Sequence, residues 1–215
     1  MFEEGARSSC LQEFYTATAD ANRADALAFE LIAITDMASC PHSLPEQVKR
    51  IATTCPHKPT KLILRAKELT PSAYAALARA ILPLCHQHSI QLILHTHWEI
   101  ALDLGLKNLH MPLPLLEKMP CATREKFTIS TSVHSLSEAQ QALSLGAQSL
   151  VAGHIYATNC KAGVPPRGLA FLRSICSLGQ AVYAIGGIGL HPGQWQELQQ
   201  AGASGACIMS AYMQV

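Results

Sequence analysis

The chain has 215 residues, enough for one large domain with a sizeable buried core. Only 14% of the residues are charged and the formal net charge is +1, which argues against the basic face of a nucleic-acid-binding protein. No apolar run reaches the roughly 18 residues of a membrane helix, and residues 1–4 are acidic, unlike a secretory signal. The eight cysteines form no CxxC pair. We therefore expect a cytoplasmic protein with reduced thiols that binds neither nucleic acid nor membrane.

The chain alternates short apolar runs with longer amphipathic stretches, which is the pattern of βα units. Residues 1–27 lack a strong period and are predicted to form an N-terminal extension or first helix outside the core, with the domain over 28–215. The predicted strands cover 29–35, 61–65, 91–95, 108–111, 127–130, 149–152, 181–185 and 205–209. The predicted helices cover 44–54, 72–88, 97–104, 113–118, 135–145, 168–178 and 191–201.

Two helix starts carry recognisable signals. Ser135 stands three residues before Glu138, which is the spacing of a capping box, and Thr70 precedes Pro71. About eight βα repeats in roughly 190 residues fit a compact single-domain (β/α)8 barrel. A doubly wound open sheet is the alternative, but the turn at 35–38 lacks the glycines expected there.

The carboxyl ends of the strands are where a barrel of this kind places its chemistry. Polar or glycine residues lie at or just after the carboxyl end of nearly every predicted strand: Asp36, Arg65, Lys67, His95, His97, His110, Ser132, His134, His154, Gly186 and Gly187. The strand bodies themselves are apolar. This distribution is typical of an enzyme.

A phosphate site is predicted after the seventh and eighth strands. Gly186 and Gly187 follow the seventh strand, and Met209 and Ser210 lie at the end of the eighth. Loops at these two places often bind phosphate through backbone N–H groups, and glycine allows the close approach that a Cβ would block. An ordinary tight turn is the alternative.

Two further strand ends offer charged or titratable groups. Arg65 and Lys67 are two residues apart and share a face, so they either seat an anion in the barrel or form salt bridges with outer helices. His154 ends the sixth strand before a long, glycine-flanked loop over 153–168. It could act as an acid/base group near neutral pH or as a structural hydrogen-bonding residue.

Metal and serine-hydrolase sites are disfavoured. His95 and His97 place two imidazoles at one strand end, but no acidic residue follows strands four to eight to complete a metal site. The repeated segments 40–42 and 55–57 read Cys-Pro-His, which is not a zinc-binding spacing. No G-x-S-x-G motif is present.

The segments 33–36, 132–136, 153–163, 184–188 and 208–210 resemble, in this order, the thiamine-phosphate-synthase superfamily. The resemblance covers roughly residues 29–213. It implies the (β/α)8 fold, a small phosphorylated thiazole as ligand and, by family habit, a homo-oligomer.

The superfamily has two branches, and this chain resembles each in part. The synthases join a pyrimidine pyrophosphate to a thiazole phosphate with magnesium held by aspartates, where this chain has Thr96 and Leu115. Gly153 with His154, and the later run 159–161, resemble the TenI-like thiazole tautomerases instead. That branch implies an isomerase that aromatises a carboxythiazole phosphate without a metal or redox cofactor. Magnesium is implied only for a synthase.

The tautomerase resemblance also implies roles for individual residues. His154 would be the catalytic acid/base, with His134 the next candidate. Arg65 and Lys67 would hold the carboxylate of the substrate, and His95, His134 and Lys161 are further predicted substrate-binding residues. The predicted phosphate-binding residues are Gly186, Gly187, Met209 and Ser210. Two alternatives remain open: a thiamine-phosphate synthase, and a non-catalytic relative that binds thiazole or thiamine phosphates.

Overall fold

The computed structural model describes residues 29–215 and confirms the single-domain (β/α)8 barrel. Eight parallel strands close into a barrel in chain order: β1 Glu30–Ile34, β2 Lys61–Leu64, β3 Gln91–His95, β4 Asn108–His110, β5 Thr128–Val133, β6 Ser149–Gly153, β7 Ala181–Ile185 and β8 Gly205–Ile208. The predicted extension over residues 1–27 lies outside the described residues.

The helices lie between the strands. They are α1 Leu44–Thr53, α2 Pro71–Gln87, α3 Trp98–Asp103, α4 Leu113–Lys118, α5 Cys121–Arg124, α6 Leu136–Ser144, α7 Gly168–Cys176, α8 Pro192–Gln200 and α9 Ser210–Met213. Short 3-10 turns occupy Met37–Ser39 and Asn159–Lys161. In the described part of the chain, no helix combines the length and the apolar character that crossing a membrane requires.

Side-chain caps explain where three of these helices begin. The hydroxyl groups of Ser43, Thr70 and Ser135 each accept a hydrogen bond from the backbone N–H three residues further on, at 3.4, 3.3 and 3.1 Å. Each cap satisfies a donor that the first helical turn cannot pair. The caps at Thr70 and Ser135 confirm the predicted helix starts.

The core has two layers, separated by the wall of strands. One set of side chains packs between the outer face of the barrel and the helices. A smaller set fills the barrel itself: Ile32, Ile34, Ile63, Ile93, Val151, Tyr183 and Cys207. Because successive residues of a strand face opposite sides, residues two positions beyond these point into the barrel mouth.

Strand β5 is the element whose predicted bounds differ most from the structure. Its predicted range was 127–130, but the strand continues to Val133. The residues Ser130 and Ser132 alternate with buried Ile129, Thr131 and Val133. The prediction stopped early because a polar inner face interrupts the apolar pattern of a barrel strand.

The barrel closes where β1 pairs with β8, with Glu30 opposite Gly205. Next to this seam, Lys61 Nζ lies 2.7 Å from a carboxylate oxygen of Glu30 and 3.0 Å from the hydroxyl of Tyr183. Tyr183 in turn donates its hydroxyl hydrogen to Glu30. Burial raises the pKa of Glu30, but the hydrogen bonds from Lys61 and Tyr183 outweigh this and lower it overall. These contacts join β1, β2 and β7 at the amino ends of the strands.

We expect Gly205→Ala to destabilise the barrel, because the added Cβ would collide with the carbonyl oxygen of Glu30 across the closing seam. Overpacking of this kind typically costs about 1–3 kcal/mol in the free energy of unfolding, which urea denaturation measures. Gly193→Ala in α8 is the control, because no atom lies within 4 Å of the Cβ it would add. Equal stability of the two variants would contradict a tightly packed seam.

Candidate functional site

The loops that follow β6 and β7 pack against each other backbone to backbone. A Cβ on Gly186 would collide with the side chain of His154, and one on Gly187 would collide with the carbonyl oxygen of Ala157. Both glycines also have positive φ angles, +99° and +67°, a conformation that residues with a Cβ rarely adopt. Glycine is therefore required at both positions for the mouth to have this shape.

The four predicted phosphate-binding residues lie on neighbouring loops of the mouth. Ile185 pairs with Cys207, so the loops after β7 and β8 leave the barrel side by side. The N–H groups of Gly186 and Gly187 donate to no backbone acceptor among residues 29–215. Ser210 is exposed and begins α9, so its N–H has no partner within the helix. These donors are available to an anion.

His154 is buried at the start of the long loop after β6. Its Nε2 lies 3.2 Å from the carbonyl oxygen of Val164, an acceptor that requires a protonated Nε2 as the donor. The backbone carbonyl of His154 accepts a hydrogen bond from the N–H of Arg167. These two hydrogen bonds join the start of the loop, at His154, to its later part, at Val164 and Arg167.

His134 contacts the carboxyl end of β6, where the long loop begins, whereas Lys161 lies within that loop. Nδ1 of His134 is 2.7 Å from the carbonyl oxygen of Gly153, which also accepts a hydrogen bond from Nε of Arg167 at 3.1 Å. His134 therefore holds the carboxyl end of β6. Lys161 is exposed at the end of the 3-10 turn in the loop.

Arg65 points into the mouth, two residues beyond the inward-facing Ile63. Its guanidinium lies 2.9 Å from the carboxylate of Asp36, which follows β1. The alternative in which Arg65 forms salt bridges with the outer helices is therefore wrong. Lys67 is exposed and lines a cavity of about 350 Å³ between the loops after β2, β3 and β4.

His110 is buried at the end of β4 and contacts two serines of the neighbouring strand β5. The two ring nitrogens of His110 lie 2.9 Å from the hydroxyl of Ser130 and 2.8 Å from that of Ser132. The ring of His95 stacks beside it, with 5.6 Å between the ring centroids. Ser130 was not among the predicted site residues, although its two-residue spacing from Ser132 places both side chains on one face of the strand.

The histidines that could have formed a metal site are directed to different partners. The ring of His97 packs on Tyr74, with centroids 4.1 Å apart, whereas His95 stacks on His110. Within residues 29–215, no group of three or more His, Cys, Asp or Glu side chains is placed to hold a metal ion. In each Cys-Pro-His segment the thiol hydrogen-bonds the carbonyl two residues ahead, as Cys40 does with His42.

Comparisons with known proteins agree with this architecture. The family model described as thiamine monophosphate synthase matches residues 31–212. A thiamine-phosphate synthase from Herpetosiphon aurantiacus is 36% identical over 155 residues, 71% of this chain and 74% of the relative. One from Listeria monocytogenes is 30% identical over 149 residues, 67% of this chain and 70% of the relative. The solved structure of thiamine phosphate pyrophosphorylase from Pyrococcus furiosus superposes with a TM-score of 0.72 at 26% identity, covering 87% of this chain and 88% of that one.

These comparisons confirm the superfamily predicted from the sequence but not the predicted branch. The curated relatives described above are named thiamine-phosphate synthases, which are transferases. The prediction that the chain is an isomerase is therefore wrong. The isomerase prediction rested on two short segments around His154, whereas the family model matches residues 31–212, which is nearly the whole barrel.

The two stacked histidines make the stability of the barrel sensitive to acid. Burial, reinforced by the neighbouring His110 and Lys67, lowers the pKa of His95 to about 3, and burial lowers the pKa of His110 to about 4. Both groups have an ordinary pKa of 6.5. Below that value the unfolded chain binds protons that the folded chain does not bind, so acidification favours unfolding.

We therefore expect the free energy of unfolding to fall as the pH drops from about 6 to about 4.5, by roughly 1.4 kcal/mol per pH unit for each histidine. Urea denaturation at several pH values measures this slope. His110→Gln should remove about half of it, whereas His86→Gln on the exposed side of α2 should leave it unchanged. An unchanged slope in the His110 variant would contradict this assignment.

Proposed function

The chain belongs to the thiamine monophosphate synthase family, and we propose that it acts in thiamine biosynthesis as a transferase joining a pyrimidine pyrophosphate to a thiazole phosphate. The observation that carries the proposal is the pair of N–H groups at Gly186 and Gly187 that find no backbone acceptor within residues 29–215, in a barrel that matches the family almost throughout. Such groups on glycines are suited to hold the phosphate of the thiazole. Met209 and Ser210, on the neighbouring loop, would complete that site.

The proposed reaction is a substitution at the methylene carbon of the pyrimidine. The bond from this carbon to the pyrophosphate oxygen breaks, and its electron pair leaves with the pyrophosphate. The ring nitrogen of the thiazole supplies the pair that forms the new carbon–nitrogen bond. Negative charge accumulates on the leaving group, so the task of the protein is to position both substrates and to stabilise that charge.

Three cationic side chains at the mouth are suited to this task. Arg65 points inward and is held by Asp36, Lys67 lines the cavity after β2, and Lys161 lies on the loop after β6. Because the substitution itself requires no proton transfer by the protein, His154 would serve as a positioning residue. Its hydrogen bond to Val164 would hold the loop over the thiazole site.

Magnesium, which the family resemblance implies for a synthase, does not fit the donor set of this mouth. Magnesium prefers hard oxygen ligands, above all carboxylates. Within three residues of the carboxyl end of any strand, Asp36 is the only carboxylate in residues 29–215, and Arg65 already pairs with it. Leu115 offers no ligand, and the hydroxyl of Thr96 donates to the carbonyl of His95 at 2.6 Å. No step of the proposed reaction is therefore assigned to the metal.

This donor set favours a second candidate function, a non-catalytic protein that binds thiazole or thiamine phosphates. Incubating the protein with both substrates and following thiamine phosphate by chromatography distinguishes the two. Product formed in proportion to the protein concentration supports the transferase. Binding of thiazole phosphate without product in repeated preparations would contradict the transferase and favour the binding protein.

Gly187→Ala should weaken thiazole phosphate binding, because the new Cβ would displace the loop around Ala157 and with it the phosphate-binding amides. Losing one such contact to a charged group costs about 1.5–3 kcal/mol, roughly 10- to 100-fold in affinity. Isothermal titration calorimetry measures the change. Gly146→Ala is the matched control, since its φ is also positive, +90°, but no atom lies within 4 Å of the added Cβ. Equal affinities in both variants would contradict the assigned phosphate site.

We also infer that the chain forms a homo-oligomer. Only 14% of its residues are charged, and several large apolar side chains near the mouth are exposed, among them Met37, Leu115 and Val164. Light scattering coupled to size exclusion should return at least twice the 23.2 kDa mass of one chain. A mass of 23.2 kDa across the tested concentrations would contradict this inference.

A further inference from the structure

The cavity of about 350 Å³ at the mouth lies across the barrel from the glycine loops, between the ends of β2, β3 and β4. Part of its wall is apolar and is formed by Ala66, Leu69, Tyr74, Pro112 and Leu115. The rest is polar and is formed by Lys67, His95, Thr96 and His97. A ligand here would meet a cationic amine and two imidazole rings beside an apolar part of the wall.

Lys67 supplies the positive charge of this cavity. The two salt bridges of the described residues join Lys61 to Glu30 and Arg65 to Asp36, so Lys67 takes part in neither. Burial lowers the pKa values of both His95 and His97, and both rings are uncharged at neutral pH. Among these wall residues the cavity therefore carries one formal positive charge and no negative charge.

The loss of magnesium ligands need not weaken the attraction for an anion. A divalent cation together with two carboxylates contributes no net charge to a pocket. Thr96 and Leu115 line the cavity where the resemblance implies the two magnesium-binding carboxylates. The wall therefore lacks the two negative charges that a divalent cation would neutralise. An anionic group entering this cavity can contact the exposed ammonium group of Lys67 without a metal between them.

We propose that this cavity binds a phosphate or pyrophosphate group directly through Lys67, with no divalent cation between the protein and the anion. The N–H groups of the two uncharged imidazoles supply further hydrogen bonds to the anion. The inference deepens the proposed function and rests on it, because pyrophosphate is the leaving group of the proposed reaction. Lys67 would then contact the negatively charged oxygens of the anion in place of a metal ion.

Titration calorimetry with inorganic pyrophosphate tests the inference, once with a chelator present and once with excess Mg²⁺. We expect equal affinities within about twofold, and a loss of roughly tenfold or more for Lys67→Gln, as for other contacts to a charged group. Lys107→Gln is the matched control, because Lys107 is also exposed but precedes β4 at the opposite end of the barrel. Binding that requires Mg²⁺, or no binding under either condition, would overturn the inference.

A double variant that adds carboxylates tests whether pyrophosphate binding can be made dependent on Mg²⁺. Thr96→Asp with Leu115→Asp places two carboxylates on the cavity wall. Asp accepts the positive φ of position 96, +70°, more readily than Thr does, and Leu115 is exposed, so both changes are compatible with the fold. We expect pyrophosphate binding to weaken in chelator and to recover when Mg²⁺ is added. Unchanged metal-free binding in a variant whose circular dichroism matches wild type would count against a site at this wall.

Measuring pyrophosphate binding apart from turnover separates the two proposals. Metal-free binding of pyrophosphate without thiamine phosphate formation would contradict the transferase and leave the anion site in place. Turnover together with pyrophosphate binding that both depend on Mg²⁺ would support the transferase and overturn the metal-free site.

Discussion

Closure of the barrel between β1 and β8 is the constraint on which the rest of the structure depends. The seam brings the backbone of Glu30 against Gly205, a position that leaves no room for a side chain. Once it closes, the carboxyl ends of all eight parallel strands share one rim. Residues far apart in the chain, such as Asp36 and Arg65, then become neighbours. The ion pair and hydrogen bonds of Glu30, Lys61 and Tyr183 stabilise the opposite end of the barrel, away from the candidate site.

Burial helps to decide which side chains at the rim carry a charge, because it lowers the pKa of both His95 and His110. His110 is enclosed by the hydroxyls of Ser130 and Ser132, and His95 stacks on it. Because burial disfavours the protonated form, this pair of imidazoles adds hydrogen-bonding groups without adding positive charge. The carboxylate of Asp36 offsets the guanidinium of Arg65. The attraction for anions therefore comes from a small number of groups: the lysines, the backbone amides of the glycine loop and Arg65, whose charge Asp36 offsets in part.

The two sides of the mouth differ in how closely they follow the family. The glycine loop after β7 and the short helix after β8 have the form expected of a phosphate site. On the other side, Thr96 and Leu115 occupy the places where the resemblance implies magnesium carboxylates. A fold can persist while the residues at one part of its site change, so family membership and reaction are separate questions. For this reason the donor set at the mouth, rather than the barrel, decides what the protein can bind.

The sequence by itself determined the barrel and the superfamily, because hydrophobic periodicity and short motifs are local properties of the chain. The helix caps at Thr70 and Ser135 were readable for the same reason. The full length of β5, the partner of Arg65 and the tether between His154 and Val164 depended on tertiary structure. Each involves contacts with a neighbouring strand or loop, and spacing along one strand does not specify what its side chains meet. The direction of a side chain into a closed barrel, and the protonation state that burial there imposes, are set only when the eight strands assemble.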